Sequence, residues 1–174
     1  MRKVLGSIVA LLLLVAAPVS AAELKIGYID LQKALNLSEA GKVAKSQIAE
    51  KVKKFQGTIE SRQNELKKLN QEMEKQKMVL SAEAKAEKER DYQQKIKDYQ
   101  RFAKDAQEEL QQEDAQATRS ILEDLFKVVK DIGNKGKYTM ILEKTESSVL
   151  YADDAINLTD EVIAAYNKVY KKGK

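Results

Sequence analysis

Few residues in this chain could carry out covalent or acid–base chemistry. There is no His and no Cys, so the sequence offers no imidazole base, no thiol nucleophile, no disulfide and no Cys/His zinc site. Two clusters remain. Gly133-Asn134-Lys135-Gly136-Lys137-Tyr138-Thr139 resembles a phosphate-cradling loop, but such a loop needs four residues between its glycines and a Ser or Thr directly after the Lys. Here the gap is two and the next residue is Tyr138. Asp153-Asp154 could be read as metal ligands, yet adjacent carboxylates in a loop ordinarily serve as turn and capping groups. Asn36-Leu37-Ser38 and Asn157-Leu158-Thr159 fit a glycosylation sequon, and helix capping explains both. No enzymatic activity and no cofactor are expected.

The elements that hold these residues point elsewhere. Charged residues make up 33% of the chain and aromatics 6%, the balance of long solvated helices rather than of a deep apolar pocket. Arg2 and Lys3 precede an uncharged apolar run from Val4 to Ala17, followed by Pro18-Val19-Ser20-Ala21-Ala22. That is the pattern of a secretory signal peptide cut after Ala21 or Ala22, too short for the roughly 20 residues of a membrane span. Residues 1–22 are therefore expected to be removed and the mature chain to be exported. From residue 23 onward there are 29 bases and 27 acids, a net of +2, and no proline.

The mature chain opens on Leu24-Lys25-Ile26-Gly27-Tyr28-Ile29, which reads as one short strand. Ser38-Glu39 is a helix entry, with Ser38 able to cap and Glu39 placed at the positive end of the helix dipole. From Thr58 to Ile132, 75 consecutive residues lack both Gly and Pro. Within this helical region Ile48, Val52, Phe55, Ile59, Arg62, Leu66, Leu69, Met73, Gln76 and Leu80 advance in alternating steps of four and three, a heptad seam that needs one partner helix. Tyr92, Ile96, Tyr99, Ala103, Ala106 and Leu110 repeat the rhythm. They continue as Ala117, Ile121, Leu125, Val128 and Ile132, with a stutter at Ile121.

The simplest partner for each seam is the other. Ser81 is a plausible cap for a returning helix, so the turn is expected near residues 80–85. The alternative is one unbroken helix of about 90 residues that dimerises along its length, roughly 135 Å at 1.5 Å per residue. Gly133 to Gly136 should stop the second helix. Tyr138 to Glu143 and Ser148 to Ala152 read as two further strands around the turn Lys144 to Ser147, and Val162 to Tyr170 as a closing amphipathic helix. Strands at both ends of the chain can share one sheet only if the middle returns to its start, which favours the hairpin. The expected architecture is α+β: a body from residues 23–37 and 133–174, and a helical arm over 38–132. So small a sheet is marginal alone, and self-association is expected.

Charge divides along the arm. Between Lys51 and Asp105, fifteen bases face ten acids; from Ala106 to Ile132, three bases face seven acids. A basic distal arm with scattered apolar groups would attract an acidic, aromatic-rich unfolded chain through weak, many-point contact. The same charges would also serve solubility and i,i+4 pairing, as between Glu50 and Lys54. Met73 and Leu80 lie on the seam and should pack; Met78 and Val79 lie off it and are the better contact candidates. Arg62 and Gln76 interrupt the seam, which fixes register at some cost in stability and should loosen the arm.

Four features together resemble the Skp/OmpH family of periplasmic chaperones: the leader, the KIGYIDLQKAL opening strand, two long charged helices meeting near LSAEA, and the tail GKYTMILEKTESSVLYADDAINLTDEVI. The resemblance spans essentially the whole mature chain. It implies a jellyfish-like homotrimer with a small β core and three hanging hairpins, acting without ATP as a holdase for unfolded outer-membrane β-barrel proteins. The client-facing candidates are then Lys67, Lys68, Lys75, Lys77, Met78, Val79, Lys85 and Lys88, and the trimer body would draw on Ile26, Tyr28, Ile29, Met140, Leu142, Val149 and Tyr151. Anionic lipid or lipopolysaccharide stays open as a further partner. A structural coiled-coil spacer of the envelope is the competing reading. Specific nucleic-acid binding, raised by a sequence pI near 9.0, is disfavoured by the export signal.

Overall fold

The computed structural model describes residues 24–147 and 149–172. The signal-peptide expectation for residues 1–22 lies outside them. In chain order the elements are β1 (Ile26–Ile29), α1 (Leu31–Leu37), α2 (Glu39–Gln76), α3 (Ala82–Gly136), β2 (Met140–Glu143), a single 3-10 turn (Asp154–Ile156) and α4 (Thr159–Lys172).

The hairpin forms. Helices α2 and α3 hold 38 and 55 residues, roughly 57 and 82 Å at 1.5 Å per residue. The turn between them spans residues 77–81, just ahead of the expected 80–85, with Val79 and Leu80 N–H groups donating to the Gln76 carbonyl. Ser81 caps α3 by accepting from the Ala84 N–H at 3.2 Å. The nine seam residues on α2 and Leu80 in the turn are half-buried, as are their counterparts on α3, with Ala106, Ile121, Leu125 and Val128 buried. A two-helix pair can cover only one stripe of each helix, so the rest of the arm surface stays wet.

The return brings β1 and β2 together as a two-stranded parallel sheet, Ile26 opposite Met140 and Ile29 opposite Glu143. Parallel neighbours need a long crossover, and here the whole arm is that crossover. On the other side of β1, Tyr28 bridges to Asn157, with the Leu158 N–H donating to the Tyr28 carbonyl at 2.8 Å. The core sits at the arm's root. Ile29, Ala34, Ala40, Ile121, Leu125, Val128, Leu158, Val162 and Tyr166 form one buried cluster that seats α1 and α4 on α3.

Three expectations are corrected. Helix α1, between the opening strand and Ser38, is not evident from periodicity because it is barely two turns long. Asp30 starts it by accepting from the Lys33 N–H at 2.7 Å, and Ser38 ends it by donating its own N–H to the Ala34 carbonyl. Ser38, fully buried, then accepts from the Gly41 N–H at 3.1 Å and so opens α2. The chain bends so tightly here that a Cβ on Gly41 would lie 1.8 Å from the Leu35 carbonyl oxygen. Second, α3 does not stop at Gly133. It runs to Gly136, and Lys137 takes the left-handed conformation at φ 53°. Local bonds close this end, with the Tyr138 N–H donating to the Gly133 carbonyl at 2.9 Å, and Lys25 adds a distant one: its ammonium donates to the Gly136 carbonyl at 2.9 Å and lies 4.1 Å from the Tyr138 ring centre.

Third, the strand expected over residues 148–152 does not form among the described residues: Val149 to Ala152 carry no regular structure, and the strand before the turn begins only at Met140. Leu150 is 100% and Tyr151 86% exposed. Alternation marks a segment fit for a sheet, but a ladder also needs a neighbouring edge, and within one chain Val149 and Tyr151 find none. The turn itself is tied by the Ser147 N–H on the Glu143 carbonyl and the Glu146 N–H on the Glu143 carboxylate.

Candidate functional site

The arm is the one extended surface outside the core, and side chains crossing between its helices set its shape. Nearest the root, the Lys51 ammonium reaches Glu109 at 2.6 Å and also contacts Glu113. Hydrogen bonds to these two carboxylates, Glu109 first, push the Lys51 pKa up. Midway, Phe55 and Phe102 meet edge to face with ring centres 5.9 Å apart, and the Arg62 guanidinium lies 4.6 Å from the Phe102 centre. Farther out, Gln63 donates to the Tyr99 hydroxyl at 2.7 Å, and Lys95 pairs with Glu65 at 2.8 Å. That pair raises the Lys95 pKa and lowers the Glu65 pKa, chiefly through the shared hydrogen bond.

Arg62 is therefore no gap in the seam, since its cation covers an aromatic face. Sequence spacing missed Phe102, which sits one position before the seam residue Ala103. An aromatic three residues after Tyr99 was the available signal. The cross-arm ion pairs were missed too, because charge partners 30 to 62 residues apart leave no local trace. The expected Glu50–Lys54 pair does not form among the described residues. Pairs within one helix occur instead at Lys104–Glu108, Arg119–Glu123 and Lys135–Asp131.

At the arm's end Met78 is 92% and Val79 80% exposed. Lys67, Lys68, Lys75 and Lys85 are exposed, Lys88 is half-buried, and none of the five has a hydrogen-bond or ion-pair partner among the described residues. Lys77 lies 3.6 Å from Glu74. The positive excess is not at the tip itself. Residues 72–90 hold five bases and five acids, whereas residues 51–71 hold six bases and two acids. The basic surface thus belongs to the middle of α2, and the tip is near neutral and apolar.

The body residues divide by exposure. Tyr28 and Ile29 are buried within their own chain, and the Tyr28 hydroxyl donates to Asp154 at 3.1 Å. Burial first, then Asp154, raises the Tyr28 pKa. Ile26, Leu142 and Val149 are half-buried, while Met140 and Tyr151 are exposed. The acidic pair has the modest role expected: Asp153 caps the 3-10 turn through the Ala155 N–H at 2.8 Å, and Asp154 serves Tyr28. Asn157 accepts from the Thr159 N–H at 3.0 Å, a capping use of the second sequon. The glycine-lysine run forms the last turn of α3, not a phosphate loop. Among the described residues no group of acidic side chains is arranged to hold a metal ion, and no helix is long and apolar enough to cross a membrane.

Comparison with known proteins agrees with this geometry. No curated protein matches the chain by sequence. A crystal structure from Caulobacter crescentus, described as a candidate outer-membrane chaperone (OmpH-like), superposes with a TM-score of 0.79 at 18% identity over 85% of this chain and 86% of that one. It shows the same fold. The model of the family described as outer membrane protein (OmpH-like) matches residues 25–166, from β1 into α4. The chain belongs to the OmpH-like family.

Proposed function

We propose that the protein is an ATP-independent holdase of the periplasm, a homotrimer whose three arms surround an unfolded outer-membrane β-barrel protein and keep it from aggregating. The observation that carries this reading is the arm itself. Its helices are paired along one half-buried seam, and outside that seam lie unpaired lysines and, at the end, bare Met78 and Val79. Such a surface offers many weak contacts and no deep site, which suits transient holding of chains that differ in sequence. Membership of the OmpH-like family supports it, as does the description of the Caulobacter protein as a candidate outer-membrane chaperone. The export signal in residues 1–22 supports the compartment.

In this reading Lys67, Lys68, Lys75, Lys77, Met78, Val79, Lys85 and Lys88 meet the client. Self-association uses the body. A parallel sheet with only two strands leaves the outer edge of β2 unpaired among the described residues, and Met140, Leu150 and Tyr151 are exposed on the same body. Open edges and bare apolar side chains are what a second copy would cover. Ile26, Leu142 and Val149 border that surface, with Tyr28 and Ile29 packed behind it. Replacing Met78 by a photoreactive residue and irradiating intact envelopes tests the client class. Trapped outer-membrane barrel proteins are the expected result, and a protein that traps none of them would contradict the reading.

A further inference from the structure

The end of the arm holds an open cavity of about 500 Å³ between the last turns of α2 and the first turns of α3. Its cause is legible in the residues. Lower down, α3 carries the rings of Tyr92, Tyr99 and Phe102, but at the tip its only apolar lining residues are Ala82 and Ala86, which share the cavity wall with Met73 and Leu80. Two large side chains face two methyl groups, so the pair cannot close.

The rim is charged, with three lysines against two acids. Lys77 and Glu74 pair with each other, and Glu89 is the other acid. Lys85 and Lys88 line the same space and have no partner. Lys88 is half-buried, one turn before the seam residue Tyr92. An ammonium held against an apolar wall without a counter-ion is stabilised by an anion brought to it.

We propose that this cavity seats one aromatic side chain of an unfolded segment together with a carboxylate next to it in sequence. The ring lies on Met73 and Leu80, and the carboxylate lies against Lys85 and Lys88. Met73 supplies a soft, polarisable surface that accepts rings of different shape. Met78 and Val79, bare on the adjoining turn, give the incoming chain an apolar approach. The inference rests on the holdase reading, because the segment is a stretch of client, and it names what the arm's end selects.

The test uses the mature chain and three dye-labelled unstructured peptides that differ at one dipeptide: Phe-Asp, Phe-Asn and Ala-Asp. Fluorescence anisotropy should rank Phe-Asp tightest. Ala86→Leu fills the cavity from an exposed helical position and should weaken Phe-Asp about tenfold, to the level of Ala-Asp. Lys88→Gln should weaken Phe-Asp roughly two- to fivefold and leave Phe-Asn unchanged. Circular dichroism on each variant confirms that the hairpin is intact. Equal binding of the three peptides, or variants that bind Phe-Asp as the unaltered protein does, overturns the proposal. The same preparations are assayed for suppression of aggregation of a denatured outer-membrane barrel. If the unaltered protein suppresses it while the peptides bind alike, the cavity assignment falls and the holdase reading stands; if it does not suppress it, both fall.

Discussion

The Arg62 guanidinium lies 4.6 Å from the centre of the Phe102 ring, across the two helices of the arm. A charged residue at a seam position is thereby accommodated without a buried counter-ion, and it specifies register because only one alignment of α2 and α3 places cation over ring. The pair is expected to be coupled by about 0.5–1 kcal/mol, the range for partly exposed cation–π contacts. A double-mutant cycle on Arg62→Ala and Phe102→Ala, read by urea unfolding, measures that coupling. Additive effects would show that the two side chains act independently.

Two glycines in α2 should respond in opposite directions. A Cβ on Gly57 meets nothing within 4 Å, so Gly57→Ala should stabilise the protein by about 0.5–1 kcal/mol through helix propensity and the unfolded chain. A Cβ on Gly41 would collide with the Leu35 carbonyl, so Gly41→Ala should destabilise it by more than that, as the α1–α2 bend is forced open. Denaturant midpoints of the two variants give the signs directly.

The arm's closure should depend on pH at its two extremes. Lys95 holds the Glu65 carboxyl below its ordinary value of 4.5. A depressed carboxyl contributes stability above its unfolded pKa, and that contribution is lost as pH falls through the folded value. Lys95 and Lys51 are raised above 10.5, so their contributions are complete below 10.5 and are lost as pH climbs through the raised values. The arm should therefore keep its pairing across the neutral range and loosen below about pH 4.5. Spin labels at Asn64 and Lys97 should move apart on acidification, by less in Glu65→Gln. High salt should shrink the difference, since these groups are exposed. An identical acid profile in the two proteins would remove Glu65 from the account.

The features visible in the sequence were those written locally. Ser81 as a cap, the seam from Ile48 to Leu80 and the helix entry at Ser38 each depend on residues within one or two turns. What stayed hidden depended on distant partners. The end of α3 is tied to Lys25, more than a hundred positions earlier, whose ammonium donates to the Gly136 carbonyl. Val149 and Tyr151 have a strand's alternation but no edge to pair with in their own chain. Phe102 lies one position off the seam, and only Phe55 and Arg62 on the facing helix give it a packing role. The tip cavity was invisible for a related reason: alanines at Ala82 and Ala86 satisfy any helix, and only the facing Met73 and Leu80 turn them into a gap.

The central claim is that the arms hold an unfolded barrel protein and need no nucleotide to do so. Light scattering from a urea-denatured outer-membrane β-barrel, diluted into buffer free of ATP with and without an equal concentration of the assembled mature protein, tests it most directly. The account predicts that scattering stays near baseline while the protein is present and rises when it is omitted. Scattering that rises equally in both would contradict it.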